Sequence, residues 1–222
     1  MACCEDQSER SRTAEMIRPI LRGKDIKRYG YKWAGLWLIN THNGVRGKYN
    51  PIDINDYPTI KHHLDKYWDK ISTRDDKGVT PYNLRNCAYM DDFFKPKIIF
   101  QEIVQEGQFF IDSETHFMCN DTCRIIVGKD INFLVGIMNS KLFFYAVQTF
   151  YGGGGLGEHA VRMKHTFFNQ FPCVGVDERV LSFVEKRMIN ENEEVEKEID
   201  QRIYELYHLT PEEINYIENR ED

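Results

Sequence analysis

Between residues 97 and 127 the chain sets short apolar runs between turn-prone residues, and this spacing constrains the fold more than any other feature. The runs occupy 97–104, 109–112, 116–118 and 123–127, with Ser113-Glu114 separating the second from the third. Strands this close, joined by connections this brief, pair antiparallel, because a parallel neighbour needs a crossover of a dozen residues or more. The expected hairpin therefore joins 109–112 to 116–118 across Ser113-Glu114. Upstream, Trp33-Ala34-Gly35-Leu36-Trp37-Leu38-Ile39-Asn40 closes on the turn-prone Thr41-His42-Asn43-Gly44 and suits a buried strand.

Elsewhere the apolar period is helical. After Asp56, the residues Ile60, Leu64, Tyr67, Trp68 and Ile71 fall on one helical face, with Pro58 near the first turn. Residues 72–86 are polar and turn-rich, a loop. Asp130 is placed to cap a helix running to about Phe150, which ends where Gly152-Gly153-Gly154-Gly155 frees the backbone. In the tail, Leu181, Val184 and Met188 mark one amphipathic segment, and Val195, Ile199, Ile203 and Leu206 the next. Thr210-Pro211-Glu212-Glu213 is a capping box with proline at the first helical position. The expected class is α+β: a mixed, mostly antiparallel sheet with packed helices, followed by a C-terminal helical appendage. Residues 1–16 are expected to be a frayed, linker-like start, 17–175 the globular body and 176–222 the helical segment.

Composition matters chiefly through its distribution. A chain of 222 residues with 41% apolar content can bury a real core. The net charge of −6 hides an uneven pattern: residues 176–222 carry 15 acidic and 6 basic side chains, whereas 18–97 carry 16 basic and 9 acidic. The basic part suits phosphate and the acidic tail suits solvent or a protein partner. Cys3, Cys4, Cys87, Cys119, Cys123 and Cys173 show no disulfide-framework spacing, and the polar start lacks a signal-peptide core, so a reducing cytoplasm is expected. The most apolar window, 131–150, is interrupted by Asn139, Ser140 and Lys141, and no membrane span is expected.

The run Ile17-Arg18-Pro19-Ile20-Leu21-Arg22-Gly23-Lys24-Asp25-Ile26-Lys27-Arg28-Tyr29 reads as a junction between domains, so the chain is expected to be the tail of something larger. Together with the closing Ile199-Asp200-Gln201-Arg202-Ile203-Tyr204-Glu205-Leu206-Tyr207-His208-Leu209-Thr210-Pro211-Glu212-Glu213-Ile214, it resembles the TaqI-like C-terminal specificity domain of restriction-modification enzymes. Lys95-Pro96-Lys97-Ile98-Ile99, Asn120-Asp121-Thr122 and Met138-Asn139-Ser140-Lys141-Leu142 match in the same order, so the resemblance spans residues 17–218. It implies a domain that follows an adenine-N6 DNA methyltransferase domain, with or without an endonuclease, and reads the double-stranded DNA sequence to be methylated or cut. The helical tail then resembles a spacer that docks the reader onto its enzyme. S-adenosylmethionine is expected in the upstream domain and no cofactor in this chain. The nearest string to the Asn-Pro-Pro-aromatic motif of such methyltransferases, Asn50-Pro51-Ile52-Asp53, lacks the second proline and the aromatic residue, so no catalytic residue is assigned.

For DNA contact the candidates are Arg74, Lys77, Tyr82, Asn83 and Arg85 in the polar loop, with Arg22, Lys24 and Lys27 in the entry run. Arginine can bond guanine, and asparagine adenine, through two atoms, while lysine mostly holds phosphate. Against this stands the plainer reading of a solvated loop. A second candidate is Arg162, Lys164 and His165 after the glycine-rich loop, which lacks the Gly-Lys-Ser/Thr ending of a nucleotide-binding loop. The alternatives are a magnesium-dependent nuclease using Asp53, Asp75 and Lys77, whose loose spacing chance explains better, and a protein-binding helical scaffold. His116, Cys119 and Cys123 lack a fourth ligand for a closed zinc site, and idle thiols are expected there. Phe143, Phe144, Tyr145, Phe150 and Tyr151 are read as core.

Overall fold

The computed structural model describes residues 7–151, 160–163, 166 and 169–219. In chain order its first part runs α1 (Gln7–Met16), β1 (Ile17–Leu21), β2 (Ile26–Lys27), β3 (Gly30–Tyr31), β4 (Trp37–Ile39), α2 (Pro58–Asp65) and α3 (Trp68–Thr73). The strands β5 (Lys97–Gln101), β6 (Ile103–Val104), β7 (Phe109–Asp112), β8 (Met118–Cys119) and β9 (Cys123–Ile126) follow. Then come α4 (Ile131–Asn139), α5 (Lys141–Ala146), β10 (Val161–Arg162), α6 (Glu178–Ile189), α7 (Glu193–Leu206) and α8 (Pro211–Glu218). The fold is α+β, with small, mostly antiparallel sheets and helices at the C-terminal end. The chain divides into two compact units: one from the described parts of Met1–Ile20, Gly35–Phe94 and His116–Met118, the other from Leu21–Ala34, Lys95–Thr115 and Cys119–Asp222.

In the second unit β5 is the central strand, with β7 on one edge and β9 on the other, both antiparallel. A strand covered on both faces reads as an unbroken apolar run, and Ile98, Ile99 and Phe100 are all buried. The expected hairpin of 109–112 with 116–118 does not form: β7 pairs with β5, Lys97 opposite Asp112 and Phe100 opposite Phe109, while β8 lies beside β1. The cause is polar. Lys97 Nζ meets Asp112 at 2.7 Å with both side chains almost wholly buried. The same carboxylate accepts the Thr115 N–H at 3.1 Å, and His116 then turns the chain through a left-handed backbone, φ +54°. The run at 97–104 is two strands, divided where the Glu102 N–H leaves the sheet for the Thr122 carbonyl at 3.0 Å.

The single helix expected from Asp130 to Phe150 is also divided. Asp130 does stand at the N-cap position, but in a left-handed conformation and with no side-chain cap bond. At Ser140 the backbone turns extended (ψ 152°) and its hydroxyl caps α5 through the Phe143 N–H at 3.1 Å. Just before the break, the buried Asn139 amide bonds both the N–H and the carbonyl of Phe109, at 3.0 and 2.8 Å. Just after it, the Lys141 N–H donates to Asp200 at 2.9 Å. These tethers hold the chain at the break, and the segment ends in a π-helical turn, Val147–Tyr151. Phe143 is core as expected, whereas Phe150 is 67% exposed.

The tail helices join this unit's core. Val180 and Val184 of α6, and Ile199 and Ile203 of α7, belong to the same buried cluster as Val135 and Ile137 of α4. The buried face of α6 is Val180, Val184 and Arg187, not the expected line through Met188, which is exposed. On α8 the Thr210–Glu213 capping box and Pro211 at the first position form as read. Burial pushes the Asp200 carboxyl up to about 6.

The first unit is built differently. Residues 7–16, expected to fray, form α1, because Glu9 and Met16 have inward work: the Glu9 carboxylate accepts the Thr59 N–H at 2.9 Å, and Met16 packs on Ile54 and Ile60. Glu9 thereby satisfies one of the free first-turn donors of α2, whose N-cap Tyr57 supplies no side-chain bond. The helix read from Asp56 begins at Pro58 but breaks at Lys66–Tyr67 into α2 and α3. Tyr67 and Trp68 are 48% and 44% exposed, so the apolar face does not continue past Leu64. The strand expected across 33–40 contracts to β4, antiparallel to β1, with Trp37 at 58% exposure rather than buried.

Candidate nucleic-acid interface

The polar loop of the first unit is held by its own side chains. Asn83, 1% exposed, donates from its amide to the carbonyls of Ile52 at 2.9 Å and His42 at 3.4 Å, and accepts from the Thr80 hydroxyl at 2.6 Å. The Arg74 guanidinium donates to the Pro81 carbonyl at 3.2 Å and to the Asn83 carbonyl. Lys77 Nζ bonds the Ser72 carbonyl at 2.8 Å, and its backbone bridges to Leu84. Tyr82 donates its hydroxyl to Asp65 at 2.5 Å and lies against the Trp68 ring at 5.4 Å, with Lys61 over its own ring. That hydrogen bond holds the Asp65 carboxyl below its ordinary range and pushes the Tyr82 phenol up. Asn83 and Arg74 thus organise the loop from within. Arg85 is exposed, with no hydrogen-bond or ion-pair partner among the described residues, and lies near enough to Cys87 to act on its thiol.

Beside this loop lies an open hollow of about 810 Å³, walled by residues 43–51 together with Val79, Asn86, Cys87 and Ala88. Asn43 joins its two sides: its amide nitrogen donates to Asn86 and its oxygen accepts the Val79 N–H at 2.8 Å. By sequence Thr41-His42-Asn43-Gly44 is a turn, and its pattern does not single out Asn43, Arg46 or Asn86. The available signal was Arg46 standing between two glycines in the most basic part of the chain.

The entry-run candidates belong to the second unit. Arg22 forks onto Asp25, Nε at 3.0 Å and Nη2 at 2.7 Å, and this guanidinium holds the buried Asp25 carboxyl below its usual range. A Cβ at Gly23 would lie 2.8 Å from Gln101 Cγ, so that side chain would have to shift; the Gly23 N–H donates to Thr122 Oγ1 at 2.9 Å. Lys24 and Lys27 point into solvent. Arg162 in β10 shares Glu102 with Arg124, and Lys164 and His165 lie outside the described residues. The loop candidates and the entry candidates therefore fall in different units.

Asp53 caps the short 3-10 turn Ile54–Asp56 through the Asn55 N–H at 2.9 Å, and Asp75 is an exposed turn residue. Among the described residues no group of three or more His, Cys, Asp or Glu side chains is arranged to hold a metal ion. The Cys119 thiol, beside Cys123, is pushed up by that neighbour and by burial. Among the described residues no helix is long and apolar enough to cross a membrane.

A family model described as the TaqI-like C-terminal specificity domain matches residues 18–172. The chain belongs to this family. The match takes in the entry run from Arg18 on, both candidate surfaces and the motifs at 95–99, 120–122 and 138–142, whereas the closing run at 199–214 lies beyond it. No curated protein matches the chain. As a TaqI-like specificity domain it is a module of DNA target recognition in a restriction-modification enzyme.

Proposed function

We propose that this chain reads double-stranded DNA for a larger enzyme whose adenine-N6 methyltransferase domain lies upstream, with or without an endonuclease, and that the chain itself carries no catalytic step. The membership in the specificity-domain family carries the reading. The division of labour is physically sensible: base-edge readout needs a rigid surface in a groove, whereas methyl transfer needs an extruded base in a separate pocket. S-adenosylmethionine belongs to that upstream pocket. The polar-braced loops of the first unit, with Lys77 and Arg85, face the DNA. The C-terminal segment at 176–222, with its 15 acidic side chains, faces the enzyme's other domains or solvent. The setting is the reducing cytoplasm in which such an enzyme meets DNA.

The test is a titration of the chain with a labelled duplex of randomised sequence at increasing salt. Lysine and arginine bound to phosphate release counterions, so log K is expected to fall linearly with log salt, with sequence-independent affinity on the order of 10⁻⁴ to 10⁻⁶ M at physiological salt. No binding at low salt to any duplex overturns the proposal.

A further inference from the structure

Most arginines of this chain already have partners. Arg22 is held by Asp25, Arg28 and Arg187 by Glu196, Arg202 by Asp177, and Arg74 by loop carbonyls. Arg46, like Arg85, is exposed with no hydrogen-bond or ion-pair partner among the described residues, and of the two it is Arg46 that lines the hollow of the first unit. The loop that carries it is braced on both limbs. On the outgoing limb the His42 Nδ1 accepts the Gly44 N–H at 3.1 Å, which requires a neutral imidazole, and burial lowers the His42 pKa in the same direction. On the return limb Lys48 and the Tyr49 hydroxyl both bond Asp91, the latter at 3.2 Å.

The limbs are also joined to each other. The His42 and Tyr49 rings meet edge to face at 5.1 Å, and the Val45 N–H bonds the Tyr49 carbonyl at 3.0 Å. Gly44 and Gly47 adopt φ of +72° and +79° on either side of the tip, and a Cβ at Gly44 would meet the Tyr49 carbonyl at 2.7 Å. Two left-handed positions around one arginine close a narrow loop that a Cβ at Gly44 would obstruct. The result is a short, stiff projection whose neighbouring lysine is neutralised by Asp91 and whose tip carries a free guanidinium.

We propose that Arg46 is a specificity-determining residue that reads one guanine edge in the major groove. This rests on the DNA-reading function above. A guanidinium presented on a rigid support matches guanine O6 and N7 with two parallel hydrogen bonds, whereas a phosphate contact has no need of such bracing. Arg46 supplies the discrimination, and the loop 72–86 beside it supplies the wall that fixes the approach.

The test is selection from a randomised duplex pool by the wild-type chain and by Arg46→Ala, Arg46→Lys and Gly44→Ala, with thermal unfolding to verify that each remains folded. The wild type is expected to recover a motif containing a G·C pair that Arg46→Ala no longer prefers, a loss of roughly ten- to a hundredfold in discrimination at that position alone. Arg46→Lys retains binding but loses most of the preference, because an ammonium is a point charge rather than a fork. Gly44→Ala, folded and with Arg46 present, shows the same loss. If Arg46→Ala recovers the unchanged motif, with all duplexes weakened equally or not at all, the inference is wrong and DNA reading stands. If the wild type selects no motif and binds no duplex, the proposed function itself fails.

Discussion

The two units hold their shape by different means. In the second, a continuous cluster that includes Ile98, Phe109, Val135, Ile137, Val180 and Ile203 is buried, and a deeply buried ion pair, Lys97 with Asp112, sits between paired strands. In the first, fewer apolar residues are buried, Met16, Ile54 and Ile60 in one cluster with Met90, Phe93, Phe117 and Met118 besides, and the long connections are kept in place by Asn83, Arg74, Asn43 and Glu9 bonding to backbone and by Asp91 bonding the Lys48 and Tyr49 side chains. Apolar burial is non-directional and tolerates many sequences of similar volume, whereas polar bracing fixes where a loop points. A surface that must meet base edges needs the second kind of order, because hydrogen-bond geometry weakens steeply with misalignment. The region with the smaller apolar core is thus the better suited to reading.

The largest expected effect tests the core side of this contrast. Lys97→Met leaves the Asp112 carboxylate buried without its cation, and urea unfolding of the second unit is expected to lose about 3–5 kcal/mol. Adding Asp112→Leu should recover most of that loss, since two apolar groups of similar shape need no partner. A single variant as stable as wild type would show that water reaches the pair and that this core is less closed than described. Asn83→Ala comes next, at about 2 kcal/mol, because the Ile52 carbonyl and the Thr80 hydroxyl lose a buried partner. Here the informative readout is local: proteolysis within 72–88 should accelerate while the second unit keeps its unfolding midpoint. Uniform destabilisation of both units would erase the distinction drawn between them.

How much of this was legible in the sequence follows the same division. The buried strand at 98–100, the faces of α7 through Ile199 and Ile203 and the cap at Thr210 were readable, because each rests on a local period or a local motif. The partner of β7 was not. Strand choice there turns on Lys97 reaching Asp112 fifteen residues away, and no turn residue at Ser113-Glu114 reports it. The division of the 131–150 helix was equally hidden, since Ser140 looks like an ordinary helix residue until Asn139 is seen bonded to Phe109 and Lys141 to Asp200. At the candidate interface the sequence offered residue types and withheld roles. Asn83 reads as a base-contacting amide but bonds backbone carbonyls, whereas Arg46, just beyond the turn at 41–44, stands exposed on a braced loop with no hydrogen-bond or ion-pair partner among the described residues. Such swaps arise wherever loops are shaped by contacts distant in sequence.

If the polar-braced loops of the first unit are the face that meets DNA, hydrogen–deuterium exchange of the chain, with and without a saturating duplex at low salt, will show it. Added protection is expected in residues 42–49 and 72–88, with unchanged exchange in the helices at 178–218. Protection confined to 178–218, with those two loops unaffected by bound duplex, would place the DNA on another face.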